Sequence, residues 1–310
     1  LVAEELSRGW MSVASVLARG NSFYRMVPGS GEQRKRRIER MAAGDYLGAL
    51  AISEPGAGSD MSAIRTRAQR DGDHWVVNGN KYWCTFADEA DFLSVVCRVD
   101  DGDGGSSLQV IPVDKQRGGF PAGVQGAPIP KIGYHGWRTF ELAFDSARVP
   151  AQTDQPAQDL RAIKHTLTIA RAHTAARSIG LAQAALDQAM AYACERVQFG
   201  RPIAQFQAIR FKIATMATEI EAARALMYSV ASRVDAGERA DKEAAMVKYF
   251  ASEMSERVTS EAMQILGGAG YTTDYPVERY WRDARLTKIF EGTSEIMQKI
   301  ISDRLLGREK

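Results

Sequence analysis

The sequence predicts an α+β protein in which a β-rich domain is set between two helical regions. Three observations carry this. Residues 1 to about 47 show helical apolar spacing in a polar-rich background. Residues 48 to about 155 turn into short β-rich runs separated by turn signals, and residues 156 to 310 return to long Ala- and Leu-rich stretches of high helix propensity. Strands and helices are grouped rather than alternating, which argues against a doubly wound parallel sheet.

In the first region Leu6, Trp10, Val13 and Leu17 recur at helical spacing. The chain opens on Leu-Val-Ala, and Glu4, Glu5 and Arg8 exclude a signal peptide. This reads as a helix entered midway through a domain, hence as a fragment of a longer chain. The basic run "RKRRIERM" reads as a solvated helix face. Next come the strand candidates "HWVVNGNKYW", "DFLSVVCRV", "SLQVIPV" and "TFELAFDSARVP". They are separated by "RDGD", Asn78-Gly79, the flexible surface loop "DDGDGGSS" and "RGGFPAG". Short strands at even spacing suggest a compact sandwich or barrel-like domain.

The third region opens with a long helix ending near "ACERV". Pro202 precedes a second helix, 204 to about 236, closed by Ala236-Gly237. A third runs from Lys242 to Leu266 and stops at Gly267-Gly268. A last helix follows Thr293, with Ile296, Met297, Ile300, Ile301 and Leu305 as one apolar stripe. Long helices with short joints read as a bundle.

Composition narrows the function. Forty bases against 38 acids leave a net charge of +2, which gives no electrostatic case for nucleic acid or an anionic membrane. No apolar run approaches the roughly 18 residues of a membrane span. Cys84, Cys97 and Cys194 lack disulfide-framework or metal spacing and read as buried thiols of a reducing compartment. The histidines at 74, 135, 165 and 173 form no metal-spaced pair and read as structural. Neither GxGxxG after a strand, nor GxxxxGK[ST], nor a nucleophile elbow is present.

Other motifs leave two readings each. "SEPGAGSD" is a tight polar loop, or one whose amides and hydroxyls face a phosphate or an aromatic ring. In "KYWCT", strand alternation puts Trp83 and Thr85 on one side. They form a core tryptophan beside an edge threonine, or an indole packed on a planar cofactor with a hydroxyl aimed at a ring heteroatom. Arg196 in "ERVQFGRPIAQFQ" either satisfies a helix C-terminus or grips a diphosphate. The glycines of "MQILGGAGY" cap a helix or admit a close neighbour. In "KIFEGTSEIM", Glu291 is either an acid near a helix N-terminus or a carboxylate set between apolar walls, Ile289 and Phe290.

Together "AISEPGAGSDMSA", "NGNKYWCTFADEAD", "ERVQFGRPIAQFQ", "QILGGAGYTTDYPVERYWRDAR" and "IFEGTSEI" resemble the acyl-CoA dehydrogenases, in that family's order and roughly its spacing, over residues 1 to about 307. The resemblance implies the remainder of an N-terminal helical domain (1–47), a middle β-domain (48–155) and a C-terminal four-helix bundle (156–310). It implies FAD between the β-domain and the bundle. Glu291 is then the general base that takes the α-proton of an acyl-CoA thioester, giving a trans-2-enoyl-CoA. A desolvated setting would strengthen that base, and Gly292 would let the thioester approach. Polarisation of the carbonyl is implied to come from the Glu291 amide and a flavin hydroxyl.

Further roles follow from the same resemblance. Leu50, Ile52, Ser53, Gly58 and Ser59 line the flavin, Ser59 also touching the CoA arm. Trp83, Cys84 and Thr85 lie on the isoalloxazine. Arg196, Phe199, Gln207, Gln264, Gly267 and Gly268 hold the FAD of a neighbouring subunit. Thr293 and Glu295 stand near the adenosine half, and Thr168 and Arg171 near the substrate. A homotetramer, a dimer of dimers, is implied, with an electron-transferring flavoprotein as acceptor, in a bacterial cytoplasm or the mitochondrial matrix. The chain departs from the family's pattern in places. Members usually carry several dozen more N-terminal residues that wall the acyl pocket. Thr168 stands where many have aspartate, and Cys84 where isoleucine is common. Relatives that move the base to the long helix need an acid beside Arg171; here Ala170 and Ala172 flank it, so Glu291 keeps the role. The rival readings are a flavin oxidase or monooxygenase on the same scaffold, and a non-catalytic subunit or inactive fragment.

Overall fold

The computed structural model describes residues 1–102, 104–151 and 158–307. The expected boundary near 155, Asp103 and the side chain of His165 lie outside the described residues. Helices α1 (Val2–Gly9), α2 (Met11–Phe23) and α3 (Gly31–Ala42) precede the strands β1 (Gly48–Ala51), β2 (Arg67–Asp71), β3 (His74–Thr85), β4 (Phe92–Asp100), β5 (Ser106–Asp114), β6 (Val124–Pro128), β7 (Thr139–Pro150) and β8 (Gln158–Asp159). Helix α4 (Leu160–Glu195) follows, then a hairpin of β9 (Val197–Gln198) and β10 (Arg201–Pro202), and helices α5 (Gln207–Asp235), α6 (Asp241–Leu266), α7 (Val277–Thr287) and α8 (Ser294–Leu306). The chain divides into two compact units. One holds residues 1–17, 132–134 and 167–310, the other residues 18–131 and 135–166. The first helical region is therefore shared between the units rather than forming one of its own.

The β unit is an eight-stranded sheet in the order β6-β7-β3-β2-β4-β5-β8. Strand β4 is its spine. Its sequence "FLSVVCRVD" is buried almost throughout, which marks a strand covered on both faces. β1 runs parallel to β4 over Phe92–Val95, and β2 takes over the ladder at Arg98. β5 pairs antiparallel with β4 along its whole length. The long β3–β7 ladder carries two irregularities, one between Val77 and Gly79 and one between Lys81 and Cys84. Cys84 and Cys97 belong to the core of this sheet, and burial pushes both thiols up to about 12. Cys194 is exposed, against the expectation of three buried thiols; it sits in the last turn of α4, where the helix meets water.

In the helical unit the first helix breaks at Trp10, whose extended backbone (φ −162°, ψ 124°) separates α1 from α2. The expected Leu6–Trp10–Val13–Leu17 stripe is therefore not one face. Small residues are buried instead, among them Ala3, Ser7 and Ala14, and Val13 is exposed. The reason is close approach. A Cβ on Gly180 of α4 would stand 2.2 Å from the Glu4 carbonyl oxygen, so helices this near accept only small side chains. Glu4 is tied to α5 by Arg224 at 2.8 Å. Helix α5 begins at Gln207, three residues late, because Ile203–Gln205 form a 3₁₀ turn. Helix α7 was not anticipated; its short, charged sequence "VERYWRDARLT" follows Tyr-Pro, a turn signal. In α8 the expected stripe is buried only at Met297, and Leu305 is exposed.

One buried ion pair organises the loop after β1. Lys81, inaccessible to solvent, donates to the Ile52 carbonyl and to Glu54 Oε1, both at 2.8 Å. Glu54 also accepts the amides of Arg65 (2.8 Å) and Thr66 (2.9 Å). Burial works to raise the Glu54 carboxyl, but Lys81, Thr66 and these amides outweigh it and hold it down to about 2, against an ordinary 4.5. A depressed folded value means the stabilisation is full above pH 4.5 and fades as the pH falls toward 2. Glu54→Gln leaves Lys81 buried without its partner and is expected to cost about 3–5 kcal/mol near neutral pH. Urea unfolding of both proteins at several pH values checks this; the gap should narrow between pH 5 and pH 3.

Candidate active site

Glu291 lies in a turn built by its own backbone. After α7, the amides of Ile289 and Phe290 both donate to the Leu286 carbonyl, at 2.9 and 3.1 Å. Glu291 (φ +56°) and Gly292 (φ +101°) are then left-handed, and the Ser294 amide donates back to the Lys288 carbonyl at 3.0 Å. Thr293 caps α8, its Oγ1 accepting from the Ile296 amide at 3.3 Å. A left-handed glutamate costs about 1–2 kcal/mol, so surrounding contacts must hold it. Helix α6 supplies them. Glu253 accepts from Lys288 (2.8 Å) before the turn and from the Ser294 hydroxyl (2.6 Å) after it. The Lys248 ammonium donates to the Gly292 carbonyl at 2.6 Å. A hydrogen bond from a charged donor contributes about 1.5–3 kcal/mol, enough to offset the strain. Gly292 is left-handed, which favours glycine, and Met297 Cε, the movable end of its side chain, stands 2.5 Å from where a Cβ would be.

The carboxylate is not set among apolar walls. Ile289 is half exposed. Glu291 Oε1 accepts from Arg177 Nη2 at 2.8 Å, and Oε2 accepts from the Thr174 hydroxyl. Both partners come from α4, three residues apart and so on one face. The Glu291 side chain retains 24% exposure, the Arg177 side chain only 2%. Arg177 is in turn fixed by the Ser15 hydroxyl (2.9 Å), the His173 carbonyl (3.3 Å) and the face of Phe290, 5.0 Å from the ring centroid. Burial acts to lower the Arg177 guanidinium, yet Glu291 and Tyr134 hold it above its ordinary value. Burial and the Arg177 charge push His173 down to about 4, so its imidazole is neutral at neutral pH. The expected desolvated base is therefore corrected to a partly accessible carboxylate held by a buried arginine.

Arg171, also on α4, is 8% exposed; burial lowers it, and Asp241 and Glu291 act the other way. Thr168 is half-buried one turn earlier. Elsewhere in this unit the hairpin turn Phe199–Gly200 is left-handed at both residues (φ +51° and +77°), and Phe199 is 93% exposed. Arg196 and Gln207 are exposed around it, as are Gln264, Gly267 and Gly268 at the end of α6. Glu295 is exposed in the first turn of α8, where its own amide and Thr293 keep its carboxyl low.

In the β unit a second cluster forms. The Tyr82 amide donates to the Ser53 carbonyl at 2.7 Å, which lays the loop after β1 along β3. Trp83 is left-handed (φ +63°) at the β3 irregularity and 57% exposed. Thr85 Oγ1 lies 3.0 Å from Thr139 Oγ1. Leu50, Ile52 and Ser53 are half-buried, and Gly58 and Ser59 exposed. Cys84 corrects its expectation: its side chain is wholly buried in the sheet core, so only its backbone can face a ligand.

Residues 49–147 match the model of the acyl-CoA dehydrogenase middle domain, and residues 160–306 that of the acyl-CoA dehydrogenase C-terminal domain. The human mitochondrial short-chain specific acyl-CoA dehydrogenase is 39% identical over 99% of this chain and 75% of its own length. The chain belongs to the acyl-CoA dehydrogenase family. A 3-(aryl)acrylate reductase of Clostridium sporogenes is also 39% identical, over 98% of this chain and 81% of its own. Among solved structures, the butyryl-CoA dehydrogenase of Megasphaera elsdenii superposes with a TM-score of 0.90 at 34% identity, covering 98% of this chain and 80% of that one.

In this acyl-CoA dehydrogenase one turn carries Glu291, Gly292 and Thr293 with Arg171 acting electrostatically on Glu291, and the loop of Ile52 and Ser53 is tied to the β3 strand that carries Trp83 and Thr85. Sequence reading missed Thr174, Arg177 and Lys248. The i, i+3 pair Thr174 and Arg177 on α4 was the available signal. Arg177→Met should lower the urea midpoint by the equivalent of about 2 kcal/mol, since it strands the carboxylate. Glu291→Gln in the same chain should return part of that loss; a double-mutant cycle measures it.

Proposed function

We propose that the chain catalyses α,β-dehydrogenation of an acyl-CoA thioester, with Glu291 as the general base. The observation that carries this is a glutamate held in strained backbone, its carboxylate aimed by Thr174 and Arg177 and still reachable from solvent. The α-C–H bond breaks, its proton goes to Glu291, and the β-hydrogen departs with its electron pair to leave the trans-2-enoyl thioester. FAD, when bound, supplies the acceptor for that hydride.

The residues fit such a group. Trp83 offers an exposed indole on a strained backbone, an unusual place for a large aromatic unless something flat covers it. Thr85 supplies a hydroxyl and Ser53, Gly58 and Ser59 a polar loop, braced from below by Lys81 and Glu54. Arg196, Phe199, Gln207, Gln264, Gly267 and Gly268 supply exposed groups for the FAD of a neighbouring subunit in a homotetramer. Thr293, Glu295 and the Glu291 amide complete the set, and Thr168 and Arg171 serve the substrate. Arg177 stabilises the carboxylate before proton transfer and loses its counter-charge after it. The polarised thioester carbonyl must therefore supply much of the acidity. An electron-transferring flavoprotein would take the electrons onward.

A second reading runs the same chemistry backward, as reduction of a conjugated double bond. One observation favours it: the relative named as a 3-(aryl)acrylate reductase.

Anaerobic titration with a panel of acyl-CoAs should bleach the flavin of the native protein with at least one member. Glu291→Gln should bind the same ester without bleaching, a loss of roughly 10²–10⁴-fold in rate. Substantial bleaching by the variant would reassign the base. Reoxidation of photoreduced enzyme by aryl- or alkyl-enoyl thioesters, with no bleaching by saturated ones, would favour the backward reaction.

A further inference from the structure

Lys248 is a buried charge that no ion pair explains. Its side chain is inaccessible to solvent, about two turns into α6, with Val247 and Ala251 buried beside it. Among the described residues no carboxylate stands within ion-pair distance of its Nζ, and the Gly292 carbonyl is its hydrogen-bond acceptor, at 2.6 Å. Taking an ammonium out of water without a counter-ion is costly, and a methionine of like length would fill the same space without that cost. The charge therefore has work to do at the turn it reaches. Glu291 and Gly292 are both left-handed there, and Lys248 holds the Gly292 carbonyl as Arg177 and Thr174 hold the carboxylate.

We propose that Lys248 is a positioning residue, its ammonium pinning the Gly292 carbonyl so that the left-handed turn keeps Glu291 aimed at the substrate. This rests on the reading of Glu291 as the base. The pin is also sensitive to pH. Burial pushes the ammonium down to about 8; Glu291 from the turn, Glu253 from α6 and Glu295 from α8 oppose that, and Arg171 from α4 adds to it. Below pH 8 the pin is charged and strong; above it the neutral amine holds the carbonyl weakly.

The test uses the full flavin-loaded chain, Lys248→Met and Lys248→Arg, with two measurements. Hydrogen exchange of residues 288–294 should quicken in Lys248→Met while the rest of α6 and α8 stays protected, and Lys248→Arg should restore part of the protection. Flavin reduction by a substrate from the panel should slow roughly 10- to 100-fold in Lys248→Met at pH 7, with the acyl-CoA dissociation constant little changed. The native rate should also fall above pH 8, a limb the methionine variant lacks. Unchanged exchange at 288–294, or loss of protection spread equally over α6 and α8, overturns the proposal. If no thioester bleaches the native flavin, the assignment of Glu291 fails instead, and the exchange result still judges the pin.

Discussion

The constraint on which the helical unit turns is a pair of left-handed residues that the chain would not adopt unaided. Glu291 has a Cβ, and its φ of +56° is tolerated because partners from two helices surround it. Arg177 and Thr174 of α4 take the carboxylate; Lys248 and Glu253 of α6 take the backbone and its flanks. Both α4 and α6 are rich in buried alanine. Ala175, Ala182 and Ala185 on one and Ala244, Ala245 and Ala251 on the other have no exposed surface, and small side chains bring helix backbones close enough to present long polar ones to a single turn.

Strain recurs where the sequence motifs lie. Among the described residues six non-glycine residues are left-handed, and three of them, Trp83, Phe199 and Glu291, stand among the residues singled out from the sequence for binding or catalysis. Each is held differently. Trp83 sits at a strand irregularity, Phe199 in a two-residue hairpin turn, and Glu291 between ion-pairing helices. Trp83 and Phe199 are among the most exposed aromatics, whereas Phe86 and Tyr134, also left-handed, are buried.

The strands from "HWVVNGNKYW" to "TFELAFDSARVP" were legible because alternation and turn residues are local signals, as were the ends of α6 and the start of α8. What escaped had no local signal. The break at Trp10 is set by close packing of α1 on Gly180, far along the chain. Helix α7 hid behind a turn dipeptide. The partners of Glu291 lie 114 and 117 residues away, and neither arginine nor threonine in a helix announces which carboxylate it will meet. The motif placed the glutamate in a known family; only three-dimensional contacts revealed that its setting is ionic rather than apolar.

The three thiols give the molecule an unplanned convenience. Cys84 and Cys97 are sealed in the sheet and held protonated far above neutral pH, whereas Cys194 stands in water at the foot of α4. An alkylating dye offered to the folded protein therefore has a single place to go. A fluorophore there would ride beside the Arg196–Phe199 hairpin and could report on it without any engineered cysteine.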